Sequence, residues 1–353
     1  MRGIAAILVA FRHGPAFFPA WTTFPESYLA VDFFFCLSGF VLAHAYGDKL
    51  QHGMTPSRFM AIRLLRLYPL YFLALLLAAP LISYDIWAGK IAFISTAIAV
   101  LPSIFFLPSP FTVGLFPLNG AAWSLFFELF ANLIFCFVGR LRMLSPIFAL
   151  VMIAAGTLIY AVVHRRLGFG HSGYGPMADG FDWPGFYTGM ARVMFSFFAG
   201  VFAFRIWNRW RHKLSIHPLL SMLILSSILM SMPRESYRVT FDLLAAVVGF
   251  PCLIMLSAGA KTSGSGERAL LFLGRISYAI YILSWPVSVD TQRIVAAVIR
   301  NAIQPWWVGA SYLTILIALA ISADVGFDTP IRARLTRRLM PDRGRALRSN
   351  NAN

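Results

Sequence analysis

The sequence is poor in charge and in cysteine, and each shortage excludes a class of protein. Only 12% of its 353 residues are charged, whereas soluble domains carry about a quarter, so a soluble globular protein is excluded. The three cysteines, Cys36, Cys136 and Cys252, are scattered through apolar segments. That spacing excludes a disulfide framework and a cysteine metal site. We expect them to be small core residues and expect no metal.

Hydrophobic residues are abundant instead, at 59%, and apolar runs long enough to span a membrane recur along the chain. They predict eleven candidate spans, at 3–20, 28–46, 67–86, 91–108, 122–139, 144–163, 187–207, 217–233, 240–258, 275–292 and 305–325. No polar stretch is long enough for a separate soluble domain. We therefore predict one membrane domain over 1–330 and a basic cytoplasmic tail over 331–353, with no cleavable signal peptide.

The net charge of +16 comes from basic residues between the apolar segments and in the tail. Because they do not share one amphipathic face, nucleic acid is excluded as a partner. They indicate topology instead, since arginine and lysine collect in cytoplasmic loops. The predicted cytoplasmic connections are 47–66, 140–143, 205–213, 259–275 and the tail after 326.

These connections require an even number of crossings between 46 and 140, where the sequence has three apolar segments. The segment 91–118 contains four prolines and is therefore predicted to re-enter the membrane rather than cross it. The predicted fold is an all-α polytopic membrane helix bundle with about ten transmembrane helices. We expect it in the inner (plasma) membrane, in contact with lipid, with both termini cytoplasmic.

His13 is the most informative single residue. It follows Arg2 by eleven positions on an apolar stretch, which places it about 16 Å along a helix that starts at the membrane surface. Ionisable groups at that depth are costly and usually mark a relay or a reaction centre. An imidazole with a near-neutral pKa suits general-base catalysis, although a packing role for His13 is the alternative.

Two carboxylates are candidates to pair with His13. Asp32 enters from the predicted outer face and could orient the imidazole or accept its proton. Glu128 lies five residues after Trp123, a predicted outer-interface anchor, and so falls roughly 7 to 8 Å deeper. Glu128 could pair with His13 or with Arg192. We predict His13, Glu128 and Asp32 as the catalytic residues.

Three arginines are predicted to bind phosphates. Arg63 and Arg66 are three residues apart and share one helix face at the cytoplasmic side. With Arg2 at the same surface, they could clamp a polyanion. The alternative is that they are ordinary positive-inside flanks of a span.

Further polar positions at membrane depth are predicted to contact substrate, namely Trp123, Arg192, Tyr278 and Ser284. Tyr278 and Ser284 belong to a polar stripe at helical spacing, which either lines a cavity or bonds neighbouring helices. Ser38 and Gly39 are predicted to allow close helix packing. The loop 164–186 is rich in glycine and aromatics, including Phe169, Tyr174, Phe181, Trp183 and Phe186. It suits sugar stacking or an interfacial aromatic belt equally.

Taken together, these blocks resemble the membrane acyltransferase family 3, the O-acyltransferases of surface polysaccharides and related acceptors. The resemblance rests on the Arg2 to His13 spacing and on VDFFFCLSGF, RFMAIRLLRLYP, NGAAWSLFFE, RVMFSFFAG and LGRISYAIYILSWP, in that order along the chain. It implies an acyl-CoA donor, about ten membrane helices, and functional roles for Arg2, His13, Arg63, Arg66 and Glu128.

Three features depart from the family pattern. Relatives usually carry histidine where this chain has Ser284, and the terminal Glu-x-Pro is Asp328-Thr329-Pro330 here. The chain also begins unusually close to Arg2. None of these removes the central histidine.

The sequence therefore predicts an enzyme that moves an acyl group, most simply acetyl, from acyl-CoA to a hydroxyl of a glycan or lipid-linked sugar, a polysaccharide modification by O-acetylation. His13 would act as general base or as a transient acyl carrier. The main alternative is a proton-coupled glycolipid transporter or flippase, in which the buried ionisable residues relay protons. A receptor or scaffold without chemistry is the third interpretation.

Overall fold

The computed structural model describes residues 1–14, 17–18, 24–141, 144–164, 175–209, 215–260, 265–298 and 306–339. Within these ranges the fold is all-α, as predicted. The helices are α1 (Arg2–His13), α2 (Ala30–Gln51), α3 (Pro56–Trp87), α4 (Phe93–Ile104), α5 (Ala122–Val138), α6 (Ser145–His164), α7 (Phe186–Arg209), α8 (Pro218–Leu229), α9 (Glu235–Leu244), α10 (Phe250–Ser257), α11 (Ser265–Val298), α12 (Trp306–Ser322) and α13 (Thr329–Leu339). A 3-10 turn precedes α2 (Pro25–Leu29), and π-helical turns join α9 to α10 and α12 to α13.

Seven helical stretches of the described chain are long and apolar enough to cross a membrane, which makes this a multi-pass membrane protein. α4 has only 12 residues, about 18 Å, which is shorter than the roughly 30 Å of a bilayer core. Non-helical chain follows it up to α5. This break is what the prolines of 91–118 predict, and the predicted total of ten crossings stays a prediction.

Several helix ends differ from the predicted spans. α1 ends at His13, not at residue 20, and Gly14 caps it with backbone bonds to Ala10 and Phe11. α3 begins at Pro56, not at residue 67, because the Thr55 side chain caps the helix and proline suits its first turn. The predicted connection 47–66 is therefore largely helical.

The predicted basic tail is also partly helical. α12 continues through the π-helical turn Ala323–Asp328 directly into α13. Residues 340–353 of the predicted tail lie outside the described residues.

The centre of the bundle is the crossing of α2 and α7. Two glycines make it possible: a Cβ built on Gly39 would overlap the carbonyl oxygen of Phe197, and one built on Gly200 would overlap that of Cys36. The predicted packing role of Gly39 is confirmed, since small residues let membrane helices approach closely. α1 packs beside α11.

The cysteines follow the expectation in part. Cys36 and Cys136 are buried, as expected, but Cys252 is exposed. α10 turns Phe250, Leu253 and Ile254 inward, so that Cys252 lies on its opposite face.

We expect Gly200→Ala to destabilise the protein, because the new methyl group meets a backbone oxygen that cannot rotate away. The cost should be about 1–3 kcal/mol, typical of overpacking. Gly156→Ala is the matched control, because open space surrounds that position in α6. Thermal unfolding of both variants in detergent checks this, and equal midpoints would contradict the described crossing.

Candidate functional site

Two cavities of different character lie within the bundle. The first, here called the arginine cavity, has a volume of about 560 Å³. Its charged and polar lining consists of Arg2, Ser38, Tyr46, Arg63, Arg66, Glu128, Tyr278, Thr329, Arg332, Thr336 and Arg337. Five arginines thus face a single carboxylate.

The second, here called the histidine cavity, has a volume of about 630 Å³. Its polar and aromatic lining consists of Arg12, His13, Tyr28, Trp123, Phe181, Arg192, Arg238, Tyr281, Trp285 and Gln292. Cavities that combine aromatic faces with a few polar groups are typical ligand sites.

A narrow space of about 50 Å³, here called the throat, lies between the two cavities. It shares Arg2, Glu128 and Tyr278 with the arginine cavity, and Val31 and Tyr281 with the histidine cavity. The Ser124 and Tyr281 hydroxyls in its wall are 2.7 Å apart and hydrogen-bonded. The throat therefore lies next to both cavities and shares part of its wall with each of them.

His13 is held at the end of α1 by the serine face of α11. Its Nδ1 lies 2.7 Å from the Oγ of Ser284, and its backbone carbonyl accepts a hydrogen bond from Ser288. The Ser284 hydroxyl donates its one proton to the carbonyl of Tyr281 at 2.7 Å. With that bond made, Ser284 accepts from His13, and the arrangement favours the imidazole tautomer that carries its proton on Nδ1.

This tautomer leaves the Nε2 lone pair of His13 available, and within the described residues no side chain bonds it. The edge of the Trp285 indole packs against the imidazole, with ring centroids 5.4 Å apart. A histidine placed in this way at a cavity wall is chemically able to act as a general base or a nucleophile.

Arg2 and His13 lie at opposite ends of α1, about 16 Å apart along its axis, and each lines a different cavity. Arg63 and Arg66 line the same cavity as Arg2. The structure therefore brings together the three arginines predicted to bind phosphates.

Glu128 does not pair with His13 or Arg192, contrary to expectation. Its Oε1 accepts from the Arg63 guanidinium at 2.8 Å and from the Ser38 hydroxyl at 2.6 Å. The reason is depth, because α5 carries Glu128 to the side of the throat that faces the arginine cavity. Ser38 thus bonds a carboxylate instead of only easing helix packing.

Asp32 does not orient His13 either. Its carboxylate accepts two hydrogen bonds from Arg192, at 2.6 and 3.2 Å. Both side chains are almost completely buried, at 0% and 1% exposure. Asp32 belongs to α2 and Arg192 to α7, so their ion pair links the two helices at the central crossing.

Trp123 is not an interface anchor. It is buried, and the Arg192 guanidinium lies 5.5 Å from its ring centre. The Asp32–Arg192 pair therefore braces an aromatic wall of the histidine cavity. That location agrees with the predicted substrate contact of Trp123 and Arg192, whose role is a proposal.

The polar stripe of α11 divides between the two cavities. The Tyr278 hydroxyl donates to the carbonyl of Leu67 at 2.7 Å, at the arginine cavity. Ser284 is fully buried, with its hydroxyl bonded to His13 and Tyr281. Ser284 is not among the lining residues of either cavity, and its hydroxyl contacts His13 instead.

Sequence reasoning missed four residues of the histidine cavity, Arg12, Arg238, Trp285 and Gln292. Trp285 sits in a quoted motif, and Arg12 neighbours His13, so both carried a signal. Arg238 comes from α9 and is placed by an ion pair with Glu26 at 2.6 Å, a contact across 212 residues that no local pattern reveals.

Part of the aromatic loop 164–186 also reaches the site. Phe181 lines the histidine cavity, and the rings of Trp183 and Phe186 stack with centroids 5.3 Å apart. Phe169 and Tyr174 lie outside the described residues.

Comparison with known proteins supplies a family. Residues 1–325 match the family Acyl_transf_3, described as "Acyltransferase domain". The chain is also 40% identical to a protein of Rhizobium radiobacter described as "Protein 2 in picA locus", in an alignment covering 46% of this chain and 91% of that protein. No solved structure matches the chain.

We expect Asp32→Ala to destabilise the protein strongly, because it leaves the buried Arg192 charge uncompensated. Breaking a buried ion pair from one side costs about 3–5 kcal/mol. Glu235→Ala is the control, since that carboxylate is 83% exposed in its ion pair with Arg238. Yield and melting temperature in detergent check this, and an Asp32→Ala protein as stable as the control would refute the buried pair.

Proposed function

Because the chain belongs to the membrane acyltransferase 3 family, we propose that it moves an acyl group, most simply acetyl, from acyl-CoA to a hydroxyl of a sugar or polysaccharide. One structural observation supports this proposal most strongly. A narrow throat lies between an arginine-lined cavity and a second cavity and shares lining residues with both, and His13 lines the second cavity with an Nε2 that no side chain of the described residues bonds.

The arginine cavity is suited to the nucleotide end of acyl-CoA. The Nε atoms of Arg2 and Arg63 are buried and have no hydrogen-bond partner within the described chain. Buried donors without partners are costly, and a phosphate oxygen satisfies them well. We propose that this cavity opens to the cytoplasm, as the positive-inside pattern indicates.

The throat separates the two reactants. In this proposal Phe34, Tyr278 and Tyr281 leave room for a slender pantetheine arm but not for a nucleotide. The separation of Arg2 and His13 along α1, about 16 Å, is then the distance that the arm covers. Glu128 holds Arg63 in place and acts as a positioning residue.

The chemistry is assigned to His13. Its Nε2 accepts the proton of the acceptor hydroxyl, whose oxygen attacks the thioester carbonyl. A new C–O bond forms, the C–S bond breaks, and the proton passes from Nε2 to the leaving thiolate. The same nitrogen would serve the other route, in which it carries the acyl group transiently.

The histidine cavity is suited to a sugar. Trp123 and Trp285 present aromatic faces, and Arg238 and Gln292 supply hydrogen-bond donors beside them. In this proposal Asp32 acts only through Arg192, which it holds against the Trp123 ring.

The test is acyl transfer by the purified protein in detergent, with acetyl-CoA and a glycan fraction from the surface of the source cells. We expect CoA release that depends on the glycan, and we expect His13→Ala to reduce it at least about 10²-fold. His44→Ala is the control, since His44 packs on Phe204 away from both cavities.

Full transfer by His13→Ala at normal yield would eliminate both routes through this histidine. Glycan-independent CoA release would argue against the assigned acceptor. Uptake of a glycolipid into liposomes without covalent change would favour the transporter.

A further inference from the structure

α13 forms one wall of the arginine cavity. The residues it contributes are Thr329, Arg332, Ala333, Thr336 and Arg337. Their spacing of three, four, seven and eight positions after the first is that of a single helix face. The helix therefore turns a defined face to the cavity, although its composition is that of an ordinary basic tail.

The start of α13 is fixed to the bundle by ion pairs. Arg332 pairs with Asp328 at 2.9 Å, one turn before it. Arg275 of α11 pairs with Asp324 at 2.5 Å and donates to the Thr329 hydroxyl at 3.2 Å. α13 also continues from α12 without a break. The cavity face is thus set by the fold.

The charge at this wall is unbalanced. Arg337 donates from Nε to the carbonyl of Ala333 in its own helix, and Glu128, the carboxylate of the cavity lining, already pairs with Arg63. Cations gathered around one space repel each other unless an anion joins them. A ligand with several phosphates would relieve this repulsion and accept several charge-assisted hydrogen bonds.

The family match ends at residue 325, before α13 begins, so the match assigns nothing to this helix. We propose that α13 is part of the donor site, with Arg332 and Arg337 binding phosphates at the nucleotide end of acyl-CoA. This inference rests on the proposed function and extends its donor site beyond Arg2, Arg63 and Arg66.

Lipid headgroups also carry phosphates, and basic helices often bind them. The position of the two arginines favours the nucleotide, because they line the same cavity as Arg2 and Arg63, whose Nε atoms are buried and unpaired within the described residues. Arg334 and Arg338 of the same helix do not line that cavity.

The test measures CoA binding to the full-length protein by isothermal titration calorimetry in a neutral detergent. The Arg332→Gln/Arg337→Gln variant should bind CoA at least about tenfold more weakly, as expected for lost charge-assisted phosphate contacts. Arg334→Gln/Arg338→Gln removes the same charge from the same helix and should bind CoA like the wild type. Acetyl-pantetheine, which lacks the nucleotide, should not distinguish the variants.

The single variant Arg337→Gln controls for a folding defect in the double variant, because it leaves the Arg332–Asp328 ion pair intact. It should still weaken CoA binding severalfold. Equal CoA affinity in all variants would overturn the proposal while leaving the proposed function standing. A wild-type protein that does not bind CoA would overturn both.

A second experiment, with lipid, distinguishes binding of the nucleotide phosphates from binding of lipid headgroups. Protein in nanodiscs of phosphatidylcholine, with and without phosphatidylglycerol, should show the same loss of CoA affinity in the Arg332→Gln/Arg337→Gln variant. If that variant differed from wild type only in binding phosphatidylglycerol, α13 would be a membrane contact and the proposal would be wrong.

Discussion

The hydrogen bond between His13 and Ser284 is the interaction on which the rest of the site depends. A histidine at the end of a membrane helix could carry its proton on either ring nitrogen. The contacts of Ser284 favour one choice, because a hydroxyl that gives its single proton to the carbonyl of Tyr281 can only accept from His13. The imidazole then donates from Nδ1, and its Nε2 is left beside the cavity. Tautomers fixed in this way, by a partner behind the ring, are a general device for preparing a histidine to react.

The second constraint is the distance between the arginine cavity and the histidine cavity. α1 keeps Arg2 and His13 at opposite ends, so the group of Arg2, Arg63 and Arg66 lies in a different cavity from the imidazole. The two carboxylates are used elsewhere, Glu128 to hold Arg63 and Asp32 to hold Arg192. The close crossing of α2 and α7 at Gly39 brings the Asp32–Arg192 pair together. Packing and electrostatics thus support the same division into two cavities.

Much of this was accessible from the sequence, and the errors have physical reasons. Long apolar runs and proline breaks predicted the helical fold and the short α4, because membrane span length is fixed by the bilayer. The arginine group was predictable since Arg63 and Arg66 share a helix face. Partners were not predictable, because side-chain pairing depends on how helices rotate and slide against each other. Glu128 was therefore assigned to the wrong cavity, and Ser284 was read as a substrate contact although the position opposite His13 makes it a support.

The most direct test of the central claim is the steady-state kinetics of Ser284→Ala compared with Ser284→Thr, with acetyl-CoA as donor. If Ser284 fixes the tautomer of His13, removing its hydroxyl should lower kcat about tenfold or more, within the range that general-base catalysis contributes. The KM for acetyl-CoA should not change, because the proposed donor site is at the other end of α1, and threonine should restore most of kcat. A Ser284→Ala enzyme with wild-type kcat would contradict the account.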